Sequence, residues 1–347
     1  MTLKIYNTMT RRKEEFHPLE EGKAGLYVCG VTAYDVCHIG HARSAIVFDV
    51  IYRYLKYRGY NTTFVKNFTD VDDKIIDRAR AEGVDIETIA GTYIRRHNED
   101  MDALGVSRPT AAPRATENIK GMIRLIERLL EKGLAYRTNG DVFYAVDRFP
   151  GYGKLSGRSL DEMMAGARVE VDERKRNPFD FVLWKATKEG EPWWDSPWGR
   201  GRPGWHIECS AIIFENHGKT IDIHAGGIEH IPVHHTNEIA QSESVTGNKL
   251  ANFWVHNNHL QVNNKKISKS LNNGYTIEDL KEKKFSPLDF RMFVLQSNYR
   301  SEANFTWQIL ASARQRRLEL QATADLRFQT EVLSHDKTKK LSSYKEK

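Results

Sequence analysis

The sequence predicts an α/β protein built on a parallel sheet, with a further region inserted between the two halves of that sheet. Two observations carry this prediction. Short apolar segments alternate with segments whose apolar residues recur at helical spacing, and this alternation is typical of parallel sheets. From about residue 138 to residue 202, clusters of glycine, proline and tryptophan interrupt any regular period. The alternation resumes near His206, so we expect one sheet with an insertion.

The first half of the sheet is predicted to contain two strands, each followed by helices. Gly59, Gly105 and Gly133 mark helix ends, because glycine readily adopts the conformation that closes a helix. The acidic turn Asp70–Asp73 opens a helix, since carboxylates suit the positive end of the helix dipole. The remaining predicted elements are strands at 25–31 and 63–68 and helices at 41–56, 86–104 and 117–132.

The second half repeats the alternation and ends in helices. The predicted strands lie at 220–224 and 252–256, and the predicted helices at 206–215, 234–244, 277–283, 287–296 and 307–328. The polar segment 334–347 is expected to be mobile.

Composition places the chain among globular proteins. Its 347 residues suggest roughly two domains, and 40% hydrophobic with 28% charged residues is ordinary for a globular chain. No apolar run is long enough to span a bilayer, and no apolar leader follows Met1, so we expect a cytoplasmic protein without a membrane partner. The net charge of +6 permits a polyanionic partner without indicating one. The 3 cysteines cannot all pair, which leaves thiols for metal.

A turn between the first predicted strand and the first predicted helix carries His38, Gly40 and His41. Ligands of open α/β sheets bind at the carboxyl ends of strands, and unpaired N–H groups at a helix start attract phosphate. Gly40 allows close approach of the backbone, and histidines three positions apart can point the same way. Taken alone, such a short motif also matches by chance, with Gly40 only turning the chain.

A second motif, Lys266 to Ser270, follows in the second half of the chain. Two lysines that bracket a serine can close over the negative charge of a departing pyrophosphate, although a solvated basic turn has the same composition. The order and pairing of the two motifs favour an ATP site. Its predicted residues are His38, Gly40, His41, Lys266, Ser268, Lys269 and Ser270.

Four potential metal ligands accompany these motifs: Cys29, Cys209, His234 and Glu238. Two thiolates, an imidazole and a carboxylate form a tetrahedral set for zinc. Taken singly, each residue is more often part of the core or the surface, so the prediction requires that all four meet. Cys37 is predicted to be structural.

The paired motifs resemble the HIGH and KMSKS signatures of class I aminoacyl-tRNA synthetases, and their flanks are similar to the cysteinyl-tRNA synthetase family. The resemblance covers about residues 3–310 and implies a Rossmann-type (HUP-like) catalytic domain in a cytoplasmic, monomeric ligase. It also implies one zinc ion per chain and, as substrates, L-cysteine, ATP with Mg²⁺ and tRNA(Cys). The matching blocks are Tyr27–Gly30, Tyr34–Ser44, Asn67–Lys74, Pro113–Glu117, Gly204–Ser210 and Asp222–His224.

The same resemblance assigns roles to the motif residues. The cysteine carboxylate attacks the α-phosphate of ATP, and the 3′ adenosine of tRNA then takes the cysteinyl group. His38 and His41 would contact the phosphates, while Lys266 and Lys269 would neutralise the pyrophosphate that leaves. Zinc selects the substrate as a thiolate, because a serine hydroxyl is harder and far less acidic. The cysteine pocket is predicted to contain Thr69, Trp205, His224 and Glu229.

The resemblance also predicts how the chain is divided. The predicted divisions are the first half of the catalytic domain at 1–110, an inserted acceptor-end domain at 111–203, the second half of the catalytic domain at 204–260, the lysine-loop and stem-contact region at 261–303, and the start of a helical stem with a polar tail at 304–347.

The chain departs from the family pattern at three places. Where the family usually shows Asp-Leu-x-Phe-Pro-His-His, this chain carries Glu229–His235, which lengthens a carboxylate arm and removes an aromatic residue. Ile267 replaces the usual methionine of the second motif, Lys266 to Ser270, which is called the lysine loop below. Family members continue with a helical bundle that reads the anticodon, so the sequence is either truncated or selects tRNA through the acceptor end.

The sequence allows two alternative functions. One is the related ligase that joins cysteine to an amino sugar in mycothiol synthesis without tRNA. Glu238 argues against it, since those ligases resemble a zinc site with three protein ligands and no carboxylate. The other is a catalytically silent paralogue that binds tRNA or an amino acid. Loss of His41 or Lys269 would mark such a protein, and both residues are present.

Overall fold

The computed structural model describes residues 2–165 and 172–328, without the side chains of Met164, Ala165 and Lys269. The predicted mobile segment 334–347 lies outside the described residues. The strands are β1 (Lys4–Asn7), β2 (Arg12–Glu15), β3 (Lys23–Thr32), β4 (Asn61–Thr69), β5 (Ala135–Thr138), β6 (Asp141–Tyr144), β7 (Phe181–Ala186), β8 (Gly201–Pro203), β9 (Ile221–Gly227), β10 (Ala251–Asn257), β11 (Leu260–Val262), β12 (Lys265–Lys266) and β13 (Ala303–Phe305). The α-helices are α1 (Ile39–Tyr57), α2 (Asp73–Glu82), α3 (Ile86–Ala103), α4 (Ile119–Glu131), α5 (Leu160–Ala165), α6 (Trp205–His217), α7 (His234–Thr246), α8 (Ile277–Glu282), α9 (Pro287–Leu295) and α10 (Trp307–Asp325).

A four-stranded parallel sheet with the order β10-β9-β3-β4 forms the centre of the described structure. It joins two strands from the first half of the sequence to two from the second, as predicted. Tyr27 pairs with His224, so the two halves meet next to Cys29. The parallel α/β architecture and the predicted strands and helices of both halves are confirmed, with ends shifted by a few residues.

The two faces of the sheet carry different helices, and this alternation directs the side chains of the site. Leu26 and Val28 pack with the residues of α1. Tyr27 faces the other way and packs with Cys209 of α6 and Ile239 of α7. Because neighbouring residues of a strand point to opposite faces, Cys29 follows Tyr27 towards α6 and α7.

The segment without regular period folds as an antiparallel sheet with the order β5-β6-β7-β8. The sequence did not indicate these strands, because they are short and turn residues separate them. Tyr144 and Trp184 are fully buried in their own cluster, which α4 also contributes to. The domain boundaries given above stay a prediction.

Two small sheets were also not predicted. β1 and β2 form an antiparallel pair, and β11 pairs with both β12 and β13. The second of these sheets matters for the site, because β12 ends at Lys266. None of the helices within the described ranges has the length and apolar character that a membrane crossing needs.

Gly30 marks a close approach between β3 and β4. A methyl group at this position would lie 1.5 Å from the carbonyl oxygen of Asn67, which no rotamer change relieves. We expect Gly30→Ala to destabilise the fold by about 3 kcal/mol or more, measured by equilibrium unfolding in urea. The matched control is Gly91→Ala in α3, where nothing lies within 4 Å of the added methyl. The control is expected to gain about 0.5–1 kcal/mol, and equal stabilities of the two variants would contradict the prediction.

Candidate active site and metal centre

The four predicted metal ligands converge beneath the carboxyl end of β3. Cys29 comes from β3, Cys209 from α6, and His234 and Glu238 from adjacent turns of α7. The Cys29 Sγ atom lies 4.0 Å from Cys209 Sγ and 3.5 Å from Glu238 Oε1. The His234 Nε2 atom lies 3.4 Å from Cys209 Sγ and 2.8 Å from Glu238 Oε1. One donor atom from each residue therefore lies within 4.8 Å of the other three, and these four residues are called the quartet below.

These separations fit a tetrahedral zinc ion. With Zn–S bonds of ~2.3 Å and Zn–N bonds of ~2.0 Å, tetrahedral geometry places two sulfurs ~3.8 Å apart and a sulfur and a nitrogen ~3.5 Å apart. The observed 4.0 and 3.4 Å are close to both values. A second set, Cys29, His224, His235 and Glu238, also lies within 4.8 Å. The first set offers two thiols in place of one, which is the softer environment that zinc favours.

Further histidines hold the ligands in place. His206 Nδ1 lies 2.8 Å from His234 Nδ1, and His224 Nε2 lies 2.6 Å from Glu238 Oε2. His235 Nε2 lies 3.2 Å from Cys29 Sγ. Hydrogen bonds of this kind fix the orientation and tautomer of ligating groups, so the surroundings of the quartet suit a metal site.

The ionisable groups of the quartet influence one another before a metal binds. Burial raises the pKa of the Cys29 thiol, which donates to Cys209 and Glu238. A hydrogen bond from Cys29 lowers the pKa of Cys209 to about 6. Burial by itself lowers the pKa of His234, but the charges of Glu238 and Cys209 raise it to about 10. A bound cation would therefore stabilise the thiolate of Cys209 and the carboxylate of Glu238.

The turn with the two predicted phosphate-binding histidines caps α1. His38 is the N-cap, and its Nδ1 atom accepts a hydrogen bond of 3.1 Å from the backbone N–H of Gly40. The His38 and His41 rings stack with their centroids 3.8 Å apart. The cavity walls shield both rings from bulk water, which lowers the pKa of each and keeps them neutral. Neutral imidazoles offer N–H donors to phosphate oxygens.

The segment that follows the lysine loop pairs with this turn. The backbone N–H of Ile39 donates to the Tyr275 carbonyl at 2.7 Å. Asn273 holds the loop, since its Oδ1 accepts from the Ser268 N–H at 2.9 Å and its Nδ2 donates to the Lys266 carbonyl at 3.1 Å. Ser268 Oγ lies 3.2 Å from Ser270 Oγ. The structure thus brings the two motifs together, while the side chain of Lys269 lies outside its described part.

One cavity of about 800 Å³ connects the two candidate centres. On the phosphate side, its lining residues include His38, Gly40, His41, Lys266 and Ser268. On the metal side, they include Cys29, Trp205 and Glu229. A small molecule in this cavity can contact both centres at once.

The four residues predicted to form the cysteine pocket divide into two pairs. Trp205 is 42% exposed and stacks on His234 with ring centroids 4.1 Å apart, and Glu229 lies on the cavity wall. Thr69 and His224 are buried behind that wall. Thr69 donates to Glu208 Oε2 at 2.7 Å, and His224 contacts Glu238. The first pair can touch a ligand directly, whereas the second supports neighbouring carboxylates.

Several residues of this region were not predicted from the sequence. His206 and His235 surround the metal set, and Glu208 partners Thr69. Lys66 lines the cavity from β4. A signal for Lys66 existed in the sequence, because a lysine interrupts the apolar run near the carboxyl end of a predicted parallel strand.

The arrangement of the sheet and the two motifs is that of a class I aminoacyl-tRNA synthetase catalytic domain. The fold is similar to that of Mycobacterium tuberculosis methionyl-tRNA synthetase bound by methionyl-adenylate, with a TM-score of 0.63, 16% identity, and coverage of 84% of this chain and 68% of that one. At this identity the likeness concerns the fold alone. The family model described as "tRNA synthetases class I (C) catalytic domain" matches residues 15–315. The chain belongs to this family.

Relatives with high sequence identity carry a more specific name. The cysteine–tRNA ligase of Pelobacter propionicus is 57% identical over 313 residues, and that of Syntrophobacter fumaroxidans is 59% identical over 313 residues. Each alignment covers 90% of this chain and 63% of the relative. The chain thus spans less than two thirds of the length of these relatives. The resemblance to the cysteinyl-tRNA synthetase family, inferred from the sequence blocks, is confirmed.

Proposed function

We propose that this chain activates L-cysteine with ATP and transfers the cysteinyl group to tRNA(Cys). One observation carries the proposal: a two-thiol metal set reaches, through Cys29, the same cavity that residues of the paired HIGH and lysine-loop motifs line. The amino-acid carboxylate would attack the α-phosphorus of ATP, which releases pyrophosphate and leaves cysteinyl-adenylate. The names of the relatives support both the amino acid and the tRNA.

The metal side of the cavity would select the amino acid. Cys29, Cys209, His234 and Glu238 would hold one zinc ion, which when bound supplies a soft Lewis acid that favours a thiol over a hydroxyl. Trp205 covers His234 and limits the space above it. On the same wall, Glu229 offers a carboxylate to the ammonium group of the substrate.

The phosphate side would bind ATP together with Mg²⁺. The neutral His38 and His41 would donate N–H groups to phosphate oxygens, where charge develops as the bond to pyrophosphate breaks. Lys266 is exposed at the end of β12 and would move over the leaving group. Lys269, Ser268 and Ser270 belong to the same loop and are proposed to share this role.

A second cavity of about 590 Å³ lies next to the first, on the side from which we propose that the tRNA acceptor end approaches. It is lined by Lys185 and Arg202 of the inserted sheet and by Trp205, which also lines the first cavity. Both cations pair with Asp73, so the walls of this cavity carry charges of both signs. We also propose that the protein is a cytoplasmic monomer. Sedimentation at increasing concentrations would test the monomeric state, and fractionation of cells would test the location.

The test is ATP–pyrophosphate exchange with cysteine and with serine, together with charging of tRNA(Cys) and of an amino sugar in parallel. We expect exchange that depends on cysteine, no comparable exchange with serine, and charging of tRNA alone. Absence of cysteine-dependent exchange would overturn amino-acid activation. Transfer to the amino sugar without transfer to tRNA would instead support the tRNA-independent ligase.

A further inference from the structure

Lys66 lies inside the cavity, on the strand that forms its floor. Within β4, Phe64 packs into the α1 side of the sheet and Val65 into the opposite side. Since strand residues alternate between faces, Lys66 points to the same side as Phe64, towards α1. Its side chain lines the cavity beside His41 and His97. A lysine in this position is unusual, because the neighbouring positions on the same face, Phe64 and Phe68, are buried apolar residues.

The ammonium group of Lys66 has no anionic partner among the described residues, within which its side chain donates no hydrogen bond and takes part in no ion pair. Cys37 and His97, which interact with Lys66 electrostatically, are not anions either. Burial raises the pKa of the Cys37 thiol to about 12, and the Cys37 Sγ atom contacts His97 Nδ1 at 2.9 Å. Burial also lowers the pKa of His97, which leaves that ring neutral.

A cation that is largely removed from water destabilises a fold unless an opposite charge or hydrogen bonds compensate it. The part of the chain that the structure describes supplies neither, and the side chain lines a cavity that is open to ligands. An anionic ligand in this cavity would compensate the charge. His41, which belongs to the proposed phosphate-binding turn, lines the same cavity and interacts electrostatically with Lys66.

We propose that Lys66 binds the phosphate oxygens of ATP from the sheet side of the cavity, as a binding residue beyond the two motifs. This inference rests on the proposed function. Three elements would then contact the triphosphate: α1 through His38 and His41, β12 through Lys266, and β4 through Lys66. A lysine suits this role, since its ammonium group acts as a point charge that can follow the phosphates.

The test compares Lys66→Met, Lys66→Arg and wild type in ATP binding, measured by calorimetry, and in thermal melting with and without ATP. We expect Lys66→Met to bind ATP about 10–100-fold more weakly, which is the effect of losing a hydrogen bond between charged groups. Lys66→Arg should recover part of the affinity. Zinc content and cysteine affinity should stay unchanged. The matched control is Lys219→Met, an exposed lysine just before β9, which should behave like wild type.

Thermal melting without ligand separates binding from a structural role. We expect ligand-free Lys66→Met to melt at the same temperature as wild type or higher, because the substitution removes an uncompensated charge. A lower melting temperature would reveal a structural partner and overturn the inference, as would unchanged ATP affinity. A loss confined to cysteine affinity would show that Lys66 binds the amino-acid carboxylate, which also overturns it. Failure of the wild type to bind ATP would instead overturn the proposed function itself.

Discussion

Replacing Cys209 with alanine is expected to remove the bound zinc and to lower cysteine-dependent ATP–pyrophosphate exchange by more than about 100-fold, because loss of a residue that merely supports a ligand already costs 10–100-fold. Cys209 is buried between Cys29 and His234 and supplies the second thiol, which the other set of donors lacks. The measurements are metal analysis of the purified variant and exchange assays at saturating ATP.

Cys37→Ala is the matched control, since Cys37 is also a buried free cysteine but contacts His97 and lies outside the metal set. It should retain its zinc. A Cys209→Ala protein that keeps one zinc ion per chain would contradict the assignment of the quartet. Equal zinc loss in both variants would mean that any buried cysteine is needed for folding.

Replacing His41 with alanine is expected to lower kcat for cysteine activation by about 10²–10³-fold, the effect of removing one donor that stabilises developing charge. The His41 side chain is exposed to the cavity, so its removal should disturb the fold little. Zinc content and cysteine affinity should not change, because His41 belongs to neither of the two sets of metal donors. Steady-state exchange kinetics with metal analysis check both parts.

His17→Ala is the control for this substitution, since His17 is exposed between β2 and β3 and does not line the cavity. Its kinetics should match those of the wild type. An unchanged kcat in His41→Ala would remove the turn from the proposed mechanism. A joint loss of zinc and kcat would show that His41 supports the fold and not the reaction.

The sequence predicted the central sheet because its strands are apolar and its helices have regular spacing. It did not predict β1 and β2, since charged residues such as those of Arg12–Glu15 have low strand propensity and form a strand only by pairing. The strands of the insertion were missed for another reason. β8 has 3 residues and lies beside glycines and prolines, so no alternation can be read from it.

The metal ligands could be predicted because thiols, imidazoles and carboxylates beside nucleotide motifs are rare combinations. The side chains that orient these ligands could not be predicted. His206 and His235 meet the quartet through the packing of α6 against α7 and β3, which sequence spacing does not reveal. The burial of Lys66 likewise depends on α1 lying over β4, so its charge becomes unusual only in the folded chain.

The position of the quartet along the chain has a consequence for assembly. Cys29 and Cys209 are 180 residues apart in sequence, and the whole antiparallel sheet β5–β8 lies between them. A zinc ion held by both would act as a reversible cross-link that closes this long loop, and metal binding would add directly to the free energy of folding. During synthesis, this cross-link can form completely only after Glu238 has left the ribosome. The ion that is proposed to select the substrate would thus bind fully only once both halves of the sheet have come together.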